Sequence, residues 1–259
     1  GCLGFMIGTG GSALVAMTLG TGDEERANKL FSMLAVAAAV LGVIFTAIGL
    51  ALLEPVAVLL GATEDMLPDC MTYGNLMMAF NVLFMLQNLF QTFLVAAEKP
   101  KLGLAATVAA GVTNMALDAL FIAGFHWGIA GAAIATGLSQ CVGGVLPLVY
   151  FLRPNSSLLR MTRTKLELRP ILQASGNGAS ELVSNVTASV VGMLYNFQLL
   201  RLSGQNGVAA YGVLMYVQLI FIGTAIGYSI GCAPIVSYHY GARHHDELKN
   251  MLKKSLTLM

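Results

Sequence analysis

Residues Leu30–Leu53 read LFSMLAVAAAVLGVIFTAIGLALL, a run without a single charged side chain. A helix of this length and hydrophobicity can cross the roughly 30 Å hydrocarbon core of a lipid bilayer. Similar uncharged runs occupy Gly1–Gly22, Cys70–Ala97 and Leu202–Ala242. The chain is therefore predicted to be an all-α, polytopic membrane protein.

The composition of the whole chain supports this class. Of its 259 residues, 56% are hydrophobic and 10% are charged, with a mean hydropathy of +0.74, whereas soluble domains carry about 25% charged residues. The net charge of +1 leaves no basic field for nucleic acid. The four cysteines are widely spaced, which indicates neither a zinc site nor a disulfide framework. Gly8–Ala13 matches a dinucleotide-binding glycine pattern, but no strand precedes it, so packing glycines of a membrane helix are expected there. No P-loop, HExxH, paired CxxC or Ser/His/Asp set occurs, so the protein is not expected to be an enzyme.

Polar breaks divide the chain into seven predicted crossings and part of an eighth. Helix is expected for each, because backbone exposed to lipid must satisfy its hydrogen bonds internally. The crossings lie at about 1–19, 30–53, 70–97, 101–125, 128–152, 169–200 and 207–237, with a last segment from about 245 to the end.

The distribution of basic residues predicts the orientation of these helices. All lysines and arginines except Arg201 fall on one side of the predicted membrane, and the opposite loop 54–69 carries Glu54, Glu64, Asp65 and Asp69. The side rich in Lys and Arg is expected to be cytoplasmic. We therefore expect a multi-pass protein of the plasma (inner) membrane whose basic loops are cytoplasmic.

The sequence also contains a weak internal repeat. A shift of 221 residues places Gly10 on Gly231, Val15 on Val236, Gly20 on Gly241 and Glu25 on Asp246. Six predicted crossings separate the copies, so orientation is preserved and the repeat is parallel. We expect an N-terminal lobe at 1–152, a cytoplasmic linker at 153–168 and the start of a C-terminal lobe at 169–259. The chain is then an internal fragment of a protein of about twelve helices, from about the second helix to the start of the ninth.

Two acidic residues, Asp118 and Glu181, lie inside predicted crossings rather than in loops or near helix ends. An aspartate at mid-bilayer costs about 2.5–3.5 kcal/mol on insertion scales, so such residues mark ion or proton pathways. Asn114 shares a helical face with Asp118, and Asn177 and Asn185 flank Glu181 at four-residue spacing. The alternative is a neutral, hydrogen-bonded carboxyl that holds helices together.

Other polar residues have two interpretations as well. Gln87 and Gln91 share a face of the 70–97 helix. This face could line a water-filled pathway for the substrate, or it could form hydrogen bonds to neighbouring helices. His239, His244 and His245 cluster near one predicted turn. A fourth ligand is not evident, so a solvated turn is expected there rather than a metal site.

Several short stretches, taken in order, resemble the MATE (multidrug and toxic compound extrusion) family of transporters. They are GTGDEERAN at Gly20–Asn28, EKP at Glu98–Pro100, NMALD at Asn114–Asp118, GIAGAAIAT at Gly128–Thr136 and PIVSYHYGA at Pro234–Ala242. The resemblance implies two six-helix lobes related by a parallel pseudo-two-fold axis, both incomplete in this chain, which expose a central cavity to each side of the membrane in turn.

The resemblance also implies a function and a set of site residues. It implies exchange of small organic, mostly cationic drugs for H⁺ or Na⁺, with no other cofactor, by a protein we expect to be monomeric. Asn114, Asp118 and Thr136 match the polar cluster of the family's N-terminal lobe. Glu181 matches a carboxylate of the C-terminal lobe, and Asn177, Asn185, Gln87 and Gln91 are candidates for the cavity lining.

Two alternatives stay open at this point. A flippase for lipid-linked oligosaccharides, from the same superfamily, would need buried Arg or Lys for the phosphates of its substrate. A more remote alternative is an intramembrane enzyme with Asp118 and Glu181 as a carboxylate dyad, which would require the two carboxyl groups to lie close together.

Overall fold

The computed structural model describes residues 2–59, 67–155 and 157–258, so Glu64 and Asp65 of the predicted acidic loop lie outside the described residues. These ranges form eight α-helices and a π-helical segment, Ala119–Gly124. The helices are α1 (Cys2–Gly20), α2 (Glu24–Leu59), α3 (Leu67–Ala96), α4 (Pro100–Asp118), α5 (Gly128–Leu152), α6 (Leu168–Asn177), α7 (Ala179–Gly241) and α8 (His245–Leu258).

Six stretches of the described chain are long and apolar enough to cross a membrane. They are 3–20, 24–58, 67–96, 100–124, 128–152 and 209–241. The all-helical membrane fold predicted from the sequence is confirmed.

Two predicted crossings differ in detail from single regular helices. The crossing at 101–125 is α-helical to Asp118 and then continues as the π-helical segment. The crossing at 169–200 is divided at Gly178 into α6 and the start of α7. A side chain at Gly178 would overlap the carbonyl oxygen of Met6 in α1, so this helix bends at a residue where α1 approaches its backbone.

Helix α7 is itself divided at Gly204, whose φ of 61° and ψ of −154° are not helical. Only glycine adopts such a conformation readily. The rings of Tyr195 and Tyr211 stack across this break, with centroids 5.3 Å apart, whereas a straight helix would separate them by about 24 Å. The chain therefore folds back here, as the sequence predicts, and we call 179–203 the first arm and 205–241 the second arm of α7.

The hydrophobic core contains a cluster of phenylalanines at one end of the bundle, where α3 and α5 end and α2 begins. Phe31, Phe90, Phe93 and Phe151 are at most 1% exposed, and the Phe31 ring lies 4.7 Å from that of Phe151 and 4.9 Å from that of Phe93. We call this the basic end, because the turns and the linker beside it carry most of the lysines and arginines. Interlocked aromatic rings of this kind pack this end of the bundle tightly.

The predicted linker is tied to the N-terminal helices. The backbone N–H of Arg160 donates to Oδ1 of Asn28 (2.6 Å), and that of Thr162 donates to Oγ of Ser32 (2.8 Å). Asn28 and Ser32 are four residues apart on α2 and so lie on one face. Leu159, beside the first of the two bonded residues, is fully buried in the core. This part of the linker is a strap across α2.

The Asn28 bond to the strap leads to a first prediction. In the full-length protein, Asn28→Ala removes the acceptor and costs about 1 kcal/mol, or about fivefold in the opening of the strap. We expect trypsin to cleave after Arg160 about fivefold faster than in the wild type, as measured by mass spectrometry of the fragments. Asn28→Asp keeps an acceptor oxygen and serves as the control. Equal cleavage rates in Asn28→Ala and the wild type would contradict this account of the strap.

The two copies of the repeat contact each other at the basic end. A Cβ atom on Gly20 would overlap the carbonyl oxygen of Tyr238, and one on Gly241 would overlap the carbonyl oxygen of Met17. Met17 and Tyr238 are separated by the same 221 residues as Gly20 and Gly241. The contact is therefore reciprocal, as a two-fold relation produces.

The ends of the two repeat helices also match. Gly22 and Arg243, again 221 residues apart, have φ values of 85° and 57°. The N–H of Gly22 donates to the carbonyl of Leu19 (2.9 Å), and that of Arg243 donates to the carbonyl of Tyr240 (3.1 Å). Both helices thus end in the same left-handed capping geometry. These pairs support a parallel repeat, while the limits of the lobes at 152 and 169 stay predictions.

Candidate functional site

A cavity of about 900 Å³ separates α3 from the second arm of α7, with Phe5 of α1 at its side. The wall from α3 is polar, whereas the wall from α7 consists of glycines at four-residue spacing with isoleucines between them. The lining includes Asn88, Gln91, Thr92 and Glu98 on one side and Gly223, Gly227, Gly231 and Ile235 on the other. Its size is within the range of about 300–1,000 Å³ that is usual for small-molecule sites.

The polar wall offers uncharged groups to a ligand. Gln91 donates from Nε2 to Oγ1 of Thr107 in α4 (3.3 Å), and Asn88 donates from Nδ2 to the carbonyl of Phe84 (2.9 Å). Glu98 is the one charged residue among the described residues of this lining. The arrangement can surround an organic molecule with apolar surface, a few hydrogen-bonding groups and a single negative charge.

The structure places the two predicted glutamines differently. Gln91 lines the cavity, whereas Gln87 packs against α5, where a Cβ on Gly143 would lie 2.5 Å from its Cδ. Oε1 of Gln87 is buried and has no hydrogen-bond partner among the described residues. Asn88 and Thr92 also line the cavity. Neither is among the predicted lining residues, although the spacing of Asn88 is three residues to Gln91 and four to Thr92, which is visible in the sequence.

Asp118 occupies the junction between α4 and the π-helical segment. Its Oδ1 is buried and has no hydrogen-bond partner in the described part of the chain. Asn114 and Thr136 are half-buried like Asp118, and α4 packs along α5, which carries Thr136. The carbonyl of Thr136 accepts a hydrogen bond from Ser139 (2.7 Å). π-Helical segments occur often at functional sites, and the role of this cluster stays a prediction.

The predicted polar row of Asn177, Glu181 and Asn185 is interrupted by the bend at Gly178. The amide of Asn185 donates to the main-chain carbonyl of Glu181 (2.7 Å) rather than to its carboxylate. Asn177 lies on the other side of the bend and lines a cavity of about 200 Å³ between α1 and the second arm of α7. Glu181 is half-buried and Asn185 is exposed.

The structure does not bring the two intramembrane carboxylates together. Asp118 is on α4 and Glu181 is on α7, and these helices make no contact within the described ranges. A shared proton or water requires two carboxyl groups a few ångströms apart. The geometry therefore gives no support to a carboxylate dyad, which was the basis of the enzyme alternative.

Charged and titratable groups gather at the basic end. A cavity of about 730 Å³ there is lined by groups that include Asp23, Arg26, Arg243 and His245. Oδ1 of Asp23 accepts the backbone N–H of Arg26 (3.0 Å), which caps the start of α2. Among the described residues, no group of three His, Cys, Asp or Glu side chains has the geometry of a metal site.

Comparison with known proteins relates this geometry to a family. A family model described as MatE matches residues 1–120 and 182–259. The multidrug export protein MepA of Staphylococcus haemolyticus is 26% identical over 261 residues, covering 96% of this chain and 55% of the relative. The chain thus spans about half the length of the curated relatives it matches.

Solved structures of similar proteins have the same fold. The MATE multidrug transporter DinF-BH, solved as a complex with a ligand, matches with a TM-score of 0.88 and 25% identity, over 96% of this chain and 56% of that one. An outward-facing multidrug resistance MATE family transporter of the MOP superfamily matches with a TM-score of 0.86 and 22% identity, at the same coverage.

Proposed function

Because this chain belongs to the MATE family, we propose that the protein of which it forms a part is a multidrug efflux antiporter. The observation that carries the proposal is the cavity of about 900 Å³ between α3 and the second arm of α7. Its walls come from the N-terminal helices and from the second copy of the repeat. Movement of one copy against the other would therefore change the size and the access of the cavity, as alternating access requires.

The lining of the cavity supports small organic cations or neutral molecules as substrates. Glu98 supplies one negative charge, and no lysine or arginine is present in the described part of the lining. A flippase for a sugar pyrophosphate would need Arg or Lys at the phosphates. Drug efflux therefore fits the lining better than the flippase alternative.

We assign coupling to H⁺ or Na⁺ to Asp118, with Asn114 and Thr136 beside it, and to Glu181. An ionisable side chain within a membrane helix is costly, and Oδ1 of Asp118 has no compensating hydrogen bond among the described residues. A cation bound at such a carboxylate stabilises whichever state binds it more tightly, and so shifts the equilibrium between the inward and outward states. In this proposal the basic end faces the cytoplasm, the membrane is the plasma (inner) membrane, and the protein acts as a monomer.

The direct test uses the full-length protein in cells that lack their own drug efflux pumps. Cells are loaded with a fluorescent organic cation, and its loss is followed after H⁺ or Na⁺ gradients are imposed separately. We expect gradient-dependent efflux above the empty-vector rate. Efflux at the vector rate under both gradients, with the protein present in the membrane, would refute the proposal.

Glu181→Gln tests the coupling role of Glu181. The amide keeps the shape of the side chain but cannot ionise, and coupling energies of about 1–3 kcal/mol correspond to about 5- to 150-fold. We expect efflux driven by the coupling gradient to fall by about five- to tenfold, at the low end of that range. Glu167→Gln, an exposed acid in the linker, is the control. If Glu181→Gln exports as fast as the wild type at every pH, Glu181 has only a structural role.

A further inference from the structure

The strap across α2 lies at the point where the hydrophobic run of this helix begins. It continues beyond Thr162 to Glu167, whose backbone N–H donates to Sδ of Met33 (3.2 Å). Lys29 is the last charged residue of α2 before the uncharged run that starts at Leu30. The boundary between lipid headgroups and hydrocarbon therefore lies near this turn of α2, and the strap lies at the same depth.

The burial of α2 indicates that the strap takes the place of lipid on this helix. Every residue from 30 to 35 is buried, although this stretch covers more than one full turn and so points in all directions. Directly after it, Val36 and Val40 are 45% and 46% exposed, as is typical of a helix that contacts lipid. Because the strap covers α2 here, its own outer surface faces the lipid that α2 would otherwise contact.

The outer surface of the strap and of the residues beside it is strongly basic. Between 153 and 169 the chain carries five cations and one acid, Glu167. The five cations are all exposed: Arg153, Arg160, Arg163, Lys165 and Arg169. None of them forms an ion pair in the described part of the chain, whereas Lys29 and Lys249 each pair with an acid of their own helix. The strap therefore offers positive charge that has no counter-charge within the described structure.

Exposed leucines lie among these cations. Leu166 is 58% exposed and Leu168 is 71% exposed, whereas Leu159, on the inner side of the strap, is fully buried. Basic residues next to exposed apolar residues are typical of a segment that lies in the headgroup region, with its apolar side chains among the acyl chains. A soluble acidic partner would match the cations, but it would not account for leucines exposed at the depth of the membrane boundary.

We propose that the strap and the start of α6 bind the headgroups of acidic phospholipids in the leaflet at the basic end. The lipid phosphate supplies the counter-charge that Arg163, Lys165 and Arg169 lack within the described chain. Clusters of Lys and Arg directly beside a membrane helix bind acidic lipids, and each cation adds to the affinity. Bound lipid also holds the linker against α2, in addition to the hydrogen bonds that Asn28 and Ser32 accept.

This lipid site is separate from the cavity and from the carboxylates assigned to coupling, so its test involves no transport. The full-length protein is purified in a neutral detergent, and native mass spectrometry measures the lipids that it binds. Phosphatidylglycerol and phosphatidylcholine with identical acyl chains are titrated at one pH and one salt concentration. We expect phosphatidylglycerol to bind about 25-fold more tightly, since two cations beside one lipid contribute about fivefold each.

A double variant of the strap tests the assignment to these cations. Arg163→Gln with Lys165→Gln removes two exposed charges that form no ion pair among the described residues. This variant should lose most of the preference for phosphatidylglycerol, while its affinity for phosphatidylcholine stays unchanged. Lys29→Gln with Lys249→Gln is the matched control, because it removes the same charge from side chains that already have a carboxylate partner. The control should bind both lipids like the wild type.

Equal affinity of the wild type for the two lipids would overturn the proposal. An equal loss in the control and in the strap variant would also overturn it, since only the net charge would then matter. Binding of neither lipid would mean that another part of the full-length protein covers this surface, which again contradicts the proposal. Lipid binding as expected, in a protein that shows no drug efflux, would refute the proposed function alone.

Discussion

Adding one methyl group at Gly20 or at Gly241 is expected to lower strongly the efflux proposed for the full-length protein. The Cβ of Gly20→Ala would overlap the carbonyl oxygen of Tyr238 and lie 2.9 Å from the amide nitrogen of Ala242. These are backbone atoms of a packed helix, so they cannot rotate away as a side chain would. Overpacking of this kind costs about 1–3 kcal/mol, which shifts the equilibrium about 5- to 150-fold away from the state with the basic end closed.

The reciprocal geometry makes this prediction sharper. Because Gly241→Ala meets the carbonyl of Met17 just as Gly20→Ala meets that of Tyr238, the two variants should lose efflux to a similar extent, by about 5- to 150-fold. Both should also increase labelling of a cysteine placed at Leu14, which lines cavities beside this crossing. Gly103→Ala is the control, because its Cβ would lie in ordinary contact, 3.7 Å from Leu94.

Two outcomes would contradict this role of the contact between α1 and α7. If both variants keep wild-type efflux and labelling, the crossing of α1 with α7 is not part of the transport cycle. If only one variant loses efflux, the two contacts are not functionally equivalent, and the repeat does not act as a symmetric pair.

The second large effect is expected at Asp118. In Asp118→Asn the side chain keeps its size, but it cannot bind and release a proton. It also lacks the negative charge that would balance a bound cation. We expect gradient-driven efflux of the fluorescent cation by the full-length protein to fall about 100-fold, at the high end of coupling energies. The variant should still fold, because the described structure shows no hydrogen bond to Oδ1 that the substitution would break.

Asp69→Asn is the matched control, since Asp69 is exposed in the first turn of α3. Efflux by Asp118→Asn at the wild-type rate under both H⁺ and Na⁺ gradients would exclude Asp118 from coupling. A rate reduced equally with and without a gradient would assign Asp118 to substrate binding instead.

Local patterns in the sequence predicted the helices well but their interruptions poorly. In the structure α2 begins after the capping residue Asp23, before the predicted crossing at 30–53, and α4 begins at Pro100, next to the predicted start at 101. Both signals act within one helical turn. The bend at Gly178 depends instead on the close approach of Met6 from a distant part of the chain. No periodicity within 169–200 contains that information.

The same limit applies to the candidate site. Asn88, three residues before Gln91, lines the cavity with it, whereas Gln87, four residues before Gln91, lies against Gly143 and not in the cavity. Spacing predicts that Asn185 shares a helical face with Glu181, and in the structure the amide of Asn185 donates to the main-chain carbonyl of Glu181. Short polar side chains in a helix compete for carbonyl groups one turn back, and spacing alone cannot resolve that competition.

The sequence by itself determined the membrane class, the spacing of most helices, the predicted orientation and the existence of a parallel repeat. These properties depend on runs of hydrophobic residues, on the positions of Lys and Arg, and on the 221-residue offset between the two copies of the repeat. All three can be read along the chain without knowledge of its contacts. Only the tertiary structure decided which residues meet, such as Asn28 with the linker and Gly178 with Met6. The physical reason is that helix rotation and crossing depend on how side chains and glycine surfaces interlock between segments far apart in the chain.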